Sequence, residues 1–348
     1  MVTIKEIAKA VGVSPATVSR VLNYDPALSI SPVKRQAIIE TAEALNYETP
    51  RNRNKTNGQP ASSLLTKLVI VHFLEPSDEI ADPYYIGVRL GIENRCRDLR
   101  TEIVKVFHSD ALPEASLLED ASGVIVIGKH SDNEIEWLAN HTRQLVFADF
   151  DPKDDRLDSV FADVGLATQK ILESLRTGGY KRIGFIGSHE NLNGTVQQFA
   201  ERRCVAYIDW QKRHESFDPA LLALSDCSSG QSLRLDTGYR LACDLLALPE
   251  RPDVIITSND NMAIGTYRAI REFGLAIPDD IAVISFNDIP VAQFLTPPLT
   301  TVRIHGEHIG EVAVDLLLER LSGRPYGKQV RIATELIWRD SCRNPLES

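Results

Sequence analysis

Residues 3–23 read TIKEIAKAVGVSPATVSRVLN, a short stretch that holds two helix starts and one helix stop. Thr3 followed by Glu6 forms a capping box, and behind it Ile4, Ile7, Ala8 and Val11 fall at helical spacing. Gly12 ends that helix. Ser14 then offers an N-cap hydroxyl, Pro15 takes the first helical position, where a missing amide hydrogen costs nothing, and Val18, Val21 and Leu22 supply a buried face. The same Ser-Pro device at Ser31 and Pro32 opens a third helix with Ile38, Ile39, Ala42 and Leu45 directed inward. Two helices joined by a turn at Gly12 and Val13 predict a helix-turn-helix, whose second helix enters the DNA major groove. Between its core positions, Thr17, Ser19 and Arg20 face outward, two hydroxyls for phosphate and a guanidinium for a guanine edge.

A net charge of −10 for the 348 residues contradicts a nucleic-acid binder until it is divided along the chain. Residues 1–60 hold eight Lys or Arg and five acids, a balance of +3, and the rest of the chain carries −13. That asymmetry lets the headpiece approach phosphate while the body is repelled. The length exceeds that of a usual single core, so a small domain plus a larger two-lobed body is expected. No apolar run approaches the roughly 20 residues that span a bilayer, and the N-terminus lacks a charged segment leading into an apolar one. A cytoplasmic protein without membrane contact is the expectation. Cys96, Cys204, Cys227, Cys243 and Cys342 are widely spaced with no CxxC, which argues for reduced thiols and against a disulfide framework or zinc site.

After Tyr47 the stretch ETPRNRNKTNGQPASS is polar and basic in its first half, a linker by composition. Arg51, Arg53 and Lys55 suit phosphate or the minor groove, and a solvated tether is the alternative. From Leu68 onward, apolar runs alternate with helical segments, the signature of parallel α/β layers. Strands are expected at Leu68–Val71, Ile103–Phe107, Val124–Ile127, Leu145–Ala148, Ile183–Ile186, Val254–Thr257 and Ile281–Phe286. Helices are expected at Tyr84–Leu99, Leu166–Thr177, Thr195–Arg213, Tyr239–Leu246, Met262–Phe273 and Glu307–Leu321. The sum is a small all-α headpiece (residues 1–48), a linker (49–64) and an α/β core (65–348) of two doubly wound, Rossmann-like lobes. The N-lobe is expected over about 65–150 plus 288–304 and the C-lobe over about 151–287 plus 305–348, with a ligand cleft between them. Polar residues recur at strand ends: Asp149, then Asn259 with Asp260, then Asn287 with Asp288. Each reads either as a helix cap or as a ligand contact.

The run V-S-x-x-T-V-S-R-V, here Val13 to Val21, resembles the recognition helix of the lactose-repressor family. GGYKRIGFIG, RCVAY, SNDNMAIGTYRAI and IAVISFNDIPVAQFLTPPLTTVRI follow in family order, so the resemblance spans the chain and implies a core like that of type I periplasmic binding proteins. It implies DNA contacts by Thr3, Ser14, Pro15, Ala16, Thr17, Ser19, Arg20, Asn23, Ser31, Tyr47, Arg51 and Arg53, with Pro15 and Ala16 at the positions that govern operator choice. Neither of those two side chains hydrogen-bonds a base, which leaves Arg20 for bidentate readout. The leucine that many members wedge into the minor groove is missing, since no Leu lies between Leu45 and Leu64. In the core, the resemblance implies effector contacts by Tyr84, Tyr85, Asp149, Arg203, Asn259, Asn287 and Phe294, with Asn287 where members often carry Asp.

DPYYIGVRLGIE, GYKRIGFIG and NDIPVAQFLTPPLTTVRIH look most like galactoside-responsive members, which implies a repressor that binds an inverted-repeat operator as a dimer and is released from it by a sugar effector, a galactoside, bound between the two lobes. A corepressor-dependent repressor or an activator with another effector is the alternative. No leucine heptads follow RIATELIWRD, so a homodimer is expected. No cofactor is implied. GxSxG, HExxH, Walker A and a post-strand GxGxxG are missing, and His305 and His308 lack partners at metal-ligand spacing, which argues against an enzyme.

Overall fold

The computed structural model describes residues 4–22, 30–44, 64–107, 114–192, 195–198, 200–226 and 229–344. The chain separates into two compact units, residues 1–63 and 64–348. In the first, α1 (Ile4–Val11) stops at Gly12, whose φ of +68° is a left-handed conformation that glycine adopts without a Cβ clash. The Thr17 amide donates to the Ser14 hydroxyl at 3.1 Å and so starts α2 (Pro15–Leu22). The Lys34 amide does the same to Ser31 at 3.4 Å at the head of α3 (Pro32–Ala44). Ile7, Ala8, Val18, Val21, Ile38 and Ala42 form the core of this unit. Ile39 is only partly buried against it. Thr3, Asn23, Leu45, Tyr47, Arg51, Arg53, Lys55 and Cys227 lie outside the described residues.

The second unit begins with β1 (Lys67–His72), α4 (Pro83–Leu99), β2 (Glu102–Phe107), β3 (Gly123–Ile127), α5 (Asp132–His141), β4 (Leu145–Ala148) and β5 (Asp158–Ala162). It continues through α6 (Val164–Thr177), β6 (Ile183–Ser188), the short strands β7 (Glu190–Leu192) and β8 (Thr195–Gln197), α7 (Arg202–Arg213), β9 (Leu222–Ser225), α8 (Leu235–Leu246), β10 (Val254–Thr257) and α9 (Asp260–Glu272). It closes with β11 (Ala282–Asn287), β12 (Thr300–Arg303), α10 (Gly306–Leu321), β13 (Gln329–Ile332) and β14 (Glu335–Ile337). One six-stranded sheet runs β13-β5-β4-β3-β1-β2, the other β14-β12-β11-β10-β6-β9, and every pairing in both is parallel except β12 with β14. Helices cover both faces, so alternate residues of one strand enter different cores: Val124 and Val126 on one side of the first sheet, Ile125 and Ile127 on the other. No helix among the described residues is long and apolar enough to cross a membrane.

The lobe boundaries differ from those the sequence predicts. Residues 158–162 and 329–332 pair in the first sheet and 300–303 in the second, so the chain changes lobe after β5, after β12 and between β13 and β14. α10 packs on α4 and over β3 to β5, which places it in the N-lobe rather than the C-lobe. The tie is electrostatic: Asp158, fully buried, accepts from the Arg324 guanidinium at 2.8 and 2.9 Å, from Arg320 and from the Lys328 amide at 2.7 Å. The single helix expected over Thr195–Arg213 is also wrong. β8 occupies its start, and α7 begins only where the Glu201 carboxylate caps the amides of Arg203 and Cys204.

The contact between α4 and α10 depends on two glycines. A Cβ on Gly91 would lie 1.9 Å from the Glu307 carbonyl oxygen, and one on Gly310 would lie 2.1 Å from that of Val88. Backbone, not a flexible side chain, blocks both, so Gly91→Ala must push the helices apart. Overpacking of this kind costs about 3 kcal/mol. Urea denaturation of Gly91→Ala should show that loss; an unchanged midpoint would mean that the helices tolerate wider spacing.

Candidate functional site

In the first unit, α2 presents its candidate contacts unevenly. Pro15, Ala16 and Arg20 are exposed, whereas Thr17 and Ser19 are partly buried. The Thr17 hydroxyl is 2.8 Å from that of Ser14, so these two serve the helix start as well as any phosphate. Arg20 sits in the last turn of a helix that carries no acid in its first turn.

In the second unit, a cavity of about 520 Å³ lies between the lobes. Tyr84, Tyr85, Asp149, Arg203, Asn259 and Asn287, six of the seven expected effector residues, line it. The strand ends deliver them. Asp149 follows β4 with φ +59° and Asn287 ends β11 with φ +110°, left-handed conformations in which short polar side chains are tolerated and turned off the sheet. Their sequence neighbours do structural work instead. Asp260 accepts from the Ile289 amide and the Thr301 hydroxyl, both at 2.8 Å, and Asp288 holds Arg303 at 2.8 Å and Arg339 at 2.7 Å. Asn259 does both jobs: it lines the cavity and caps α9 by accepting from the Met262 amide at 2.8 Å.

Phe294 is a correction. It stands 75% exposed on a 3-10 turn over Pro290–Phe294 and does not line the cavity. The aromatic walls are Tyr84, Tyr85, Phe150 and Phe161. Tyr84 and Tyr85 meet edge to face with centroids 5.0 Å apart.

Of the charges that line the cavity, Glu201 and Asp82 are buried and Asp149 and Arg203 partly so. The Tyr84 hydroxyl donates to Asp149 at 2.7 Å, and burial pushes the Asp149 carboxyl up while that bond and Arg203 pull it down. Arg203 donates to Glu201 at 3.0 Å and stacks its guanidinium over Phe286, 5.4 Å from the ring centroid. Burial alone would raise the Glu201 carboxyl, but Arg203, Lys129 and two amide hydrogens hold it below its ordinary range. At the rim, Lys129 of the N-lobe pairs with Glu190 of the C-lobe at 2.9 Å, and Arg202 sits 3.7 Å from Asp151. Sequence reading missed Glu201, Lys129, Glu190 and Asp82; only the cap position of Glu201 before an amphipathic run could have marked it. Among the described residues no group of His, Cys, Asp or Glu could hold a metal ion, and His308 instead faces Glu311 at 3.1 Å. The arrangement offers carboxylate, amide and guanidinium groups beside aromatic faces, which suits a polyhydroxylated ring.

Residues 3–50 match the family model described as bacterial regulatory proteins, lacI family, and residues 172–342 match the periplasmic binding protein-like domain. The chain is 34% identical over 342 residues to the HTH-type transcriptional repressor MelR of Bacillus subtilis (strain 168), covering 98% of both sequences. It is 68% identical over 113 residues to the lactose operon repressor of Rhizobium radiobacter, which spans 32% of this chain and all of that one. The solved complex of the transcriptional regulator CelR with cellobiose shares the fold, with a TM-score of 0.68 at 22% identity over 98% of this chain and 100% of that one.

Arg203 is the counter-ion of a carboxylate that is 2% exposed. Arg203→Ala therefore strands a buried charge and should cost about 3 kcal/mol by urea denaturation. The double variant Glu201→Gln/Arg203→Met removes both charges and should regain most of that loss. Equal stability of Arg203→Ala and the parent would show that Glu201 is solvated.

Proposed function

The chain belongs to the lacI family of bacterial regulatory proteins, and from that premise we propose that it represses transcription by holding an inverted-repeat operator as a homodimer, released when a galactoside fills the cleft. The observation that carries the effector half is the buried meeting of Tyr84–Asp149 from the N-lobe with Arg203–Glu201 and Asn287 from the C-lobe around one cavity. A ligand held by both lobes stabilises the arrangement in which they meet, and that preference is all a ligand needs to shift an equilibrium. The galactoside reading draws support from the 68% identity to a lactose operon repressor. In the headpiece, the Ser14 cap fixes the start of α2 and Arg20 stands exposed at its far end.

One recognition helix covers too few base pairs for useful discrimination, so two copies must act together. The surface around Phe294 fits that role. Phe294 and Val291, 75% and 43% exposed on one 3-10 turn, form an apolar projection of the kind that anchors subunit contacts.

Two tests follow from this reading. A gel shift on the inverted repeat upstream of the chain's own or neighbouring genes should show a complex that lactose dissolves. Arg20→Ala should weaken it by about 1–3 kcal/mol per half-site. Parent-like binding by Arg20→Ala would remove the groove assignment, and lactose that tightens the complex would reverse the sign of control. Phe294→Asp should shift the sedimentation boundary towards monomer and weaken operator binding with it; an unchanged dimer would place the subunit contact elsewhere.

A further inference from the structure

Asp82 opens α4 just before Pro83 and is 3% exposed. Its Oδ1 accepts from the Tyr84 amide at 3.0 Å, the helix cap. Its Oδ2 is equally buried and accepts no hydrogen bond, although the residue lines the cavity. A cap needs one oxygen, which Ser or Asn supplies without a charge. The second oxygen is then a cost with no return inside the fold, because a buried carboxylate lacking donors loses its hydration uncompensated. The oxygen has almost no accessible surface of its own, so a small rotation of the side chain towards the cavity is needed to uncover it, and a donor presented there would offset that cost.

We propose that Asp82 is a further specificity-determining residue of the cleft, whose free oxygen accepts a hydroxyl of a neutral saccharide. This rests on the effector reading above and narrows it. Beside Asp82 stands Asp149, and the nearest cation, Arg203, is already paired to Glu201, so an acid or phosphate group placed at Asp82 would meet two carboxylates, with Lys129, Lys153 and Arg202 elsewhere in the lining. A neutral polyol brings only donors.

The groups that face Asp82 are Asp149 at the end of β4, Arg203 with its partner Glu201 at the start of α7, and Tyr84 and Tyr85 of its own helix. Burial above all, and after it Asp149, raises the carboxyl to about 6, against the amides of Tyr84 and Tyr85 and the charge of Arg203. The sign follows. A hydroxyl bonds a carboxylate more strongly than a carboxylic acid, so the ligand prefers ionised Asp82 and affinity falls as pH drops through that value. Between pH 7 and pH 5 the loss is about tenfold, one decade for each unit below the midpoint.

The test uses the full-length protein, titrated calorimetrically at pH 7.5 with galactose, lactose, melibiose and cellobiose. The tightest binder is then carried from pH 7 to pH 5 with the parent and with Asp82→Asn, which keeps the cap and cannot ionise. The parent should lose about tenfold in affinity over that range; Asp82→Asn should bind about tenfold more weakly at pH 7.5 and lose less than threefold on acidification. Without sugar at pH 7.5, Asp82→Asn should melt above the parent, because an uncompensated buried charge is gone. Parent-like affinity and pH slope in Asp82→Asn overturn this inference and leave the effector reading intact. A variant that melts below the parent, or fails to fold, overturns it too, by showing that the carboxylate serves the structure. A parent that binds none of the four sugars contradicts the effector reading and this inference together.

Discussion

The ion pair of Arg203 and Glu201 is largely withdrawn from the water that would otherwise stabilise both charges, the two side chains being only 15% and 3% exposed. Neither group can be buried without the other, and the pair must be placed before the lobes can meet over it. Glu201 does that placing. Its Oε2 caps α7 by accepting from two amides, while its Oε1 accepts from the guanidinium on the first turn of the same helix. The Phe286 ring at the end of β11 covers the guanidinium from the other side. The start of α7, the end of β11 and the floor of the cavity thus share one electrostatic solution.

The N-lobe answers with anions. Asp149 is held by Tyr84, and Asp82, two residues before Tyr84, caps the helix on which that tyrosine stands. Across the mouth, Lys129 meets Glu190, Asp78 meets Arg234, and the Asn261 amide donates to the Ala81 carbonyl at 3.1 Å. These contacts join the lobes through polar groups, and ion pairs open to solvent contribute little individually. Behind the cavity the chain crosses between the lobes three times, a covalent connection. The lobes are strongly tied on one side and lightly on the other, which suits a cleft whose contents decide how firmly it stays shut.

The sequence made the headpiece legible because its signals are local. Ser14, Pro15 and Gly12 act on their own backbone, and periodicity alone picks out Ile7, Val18, Val21 and Ile38 as core. The long apolar strands were legible for the same reason. What failed was long-range: β5, β12 and β13 are no shorter than β4 or β10, but which sheet they join depends on pairing rather than composition. α10 reads as a C-terminal helix until Asp158 claims Arg320 and Arg324. In the site, family order located six cavity residues but misplaced Phe294, an aromatic whose neighbours in sequence say nothing of which way the turn points. Glu201 and Asp82 stayed hidden because an acid before a helix is an ordinary cap; their burial against other charges emerges only when two lobes face each other.

The central claim is that one protein carries a single free energy between its cleft and its headpiece, and linkage makes that claim measurable from either end. The direct measurement is the dissociation constant of lactose for the protein alone and for the protein saturated with its operator. The account predicts weaker lactose binding in the operator complex, by the same factor by which saturating lactose weakens the operator. Identical lactose affinity in the two states would contradict it.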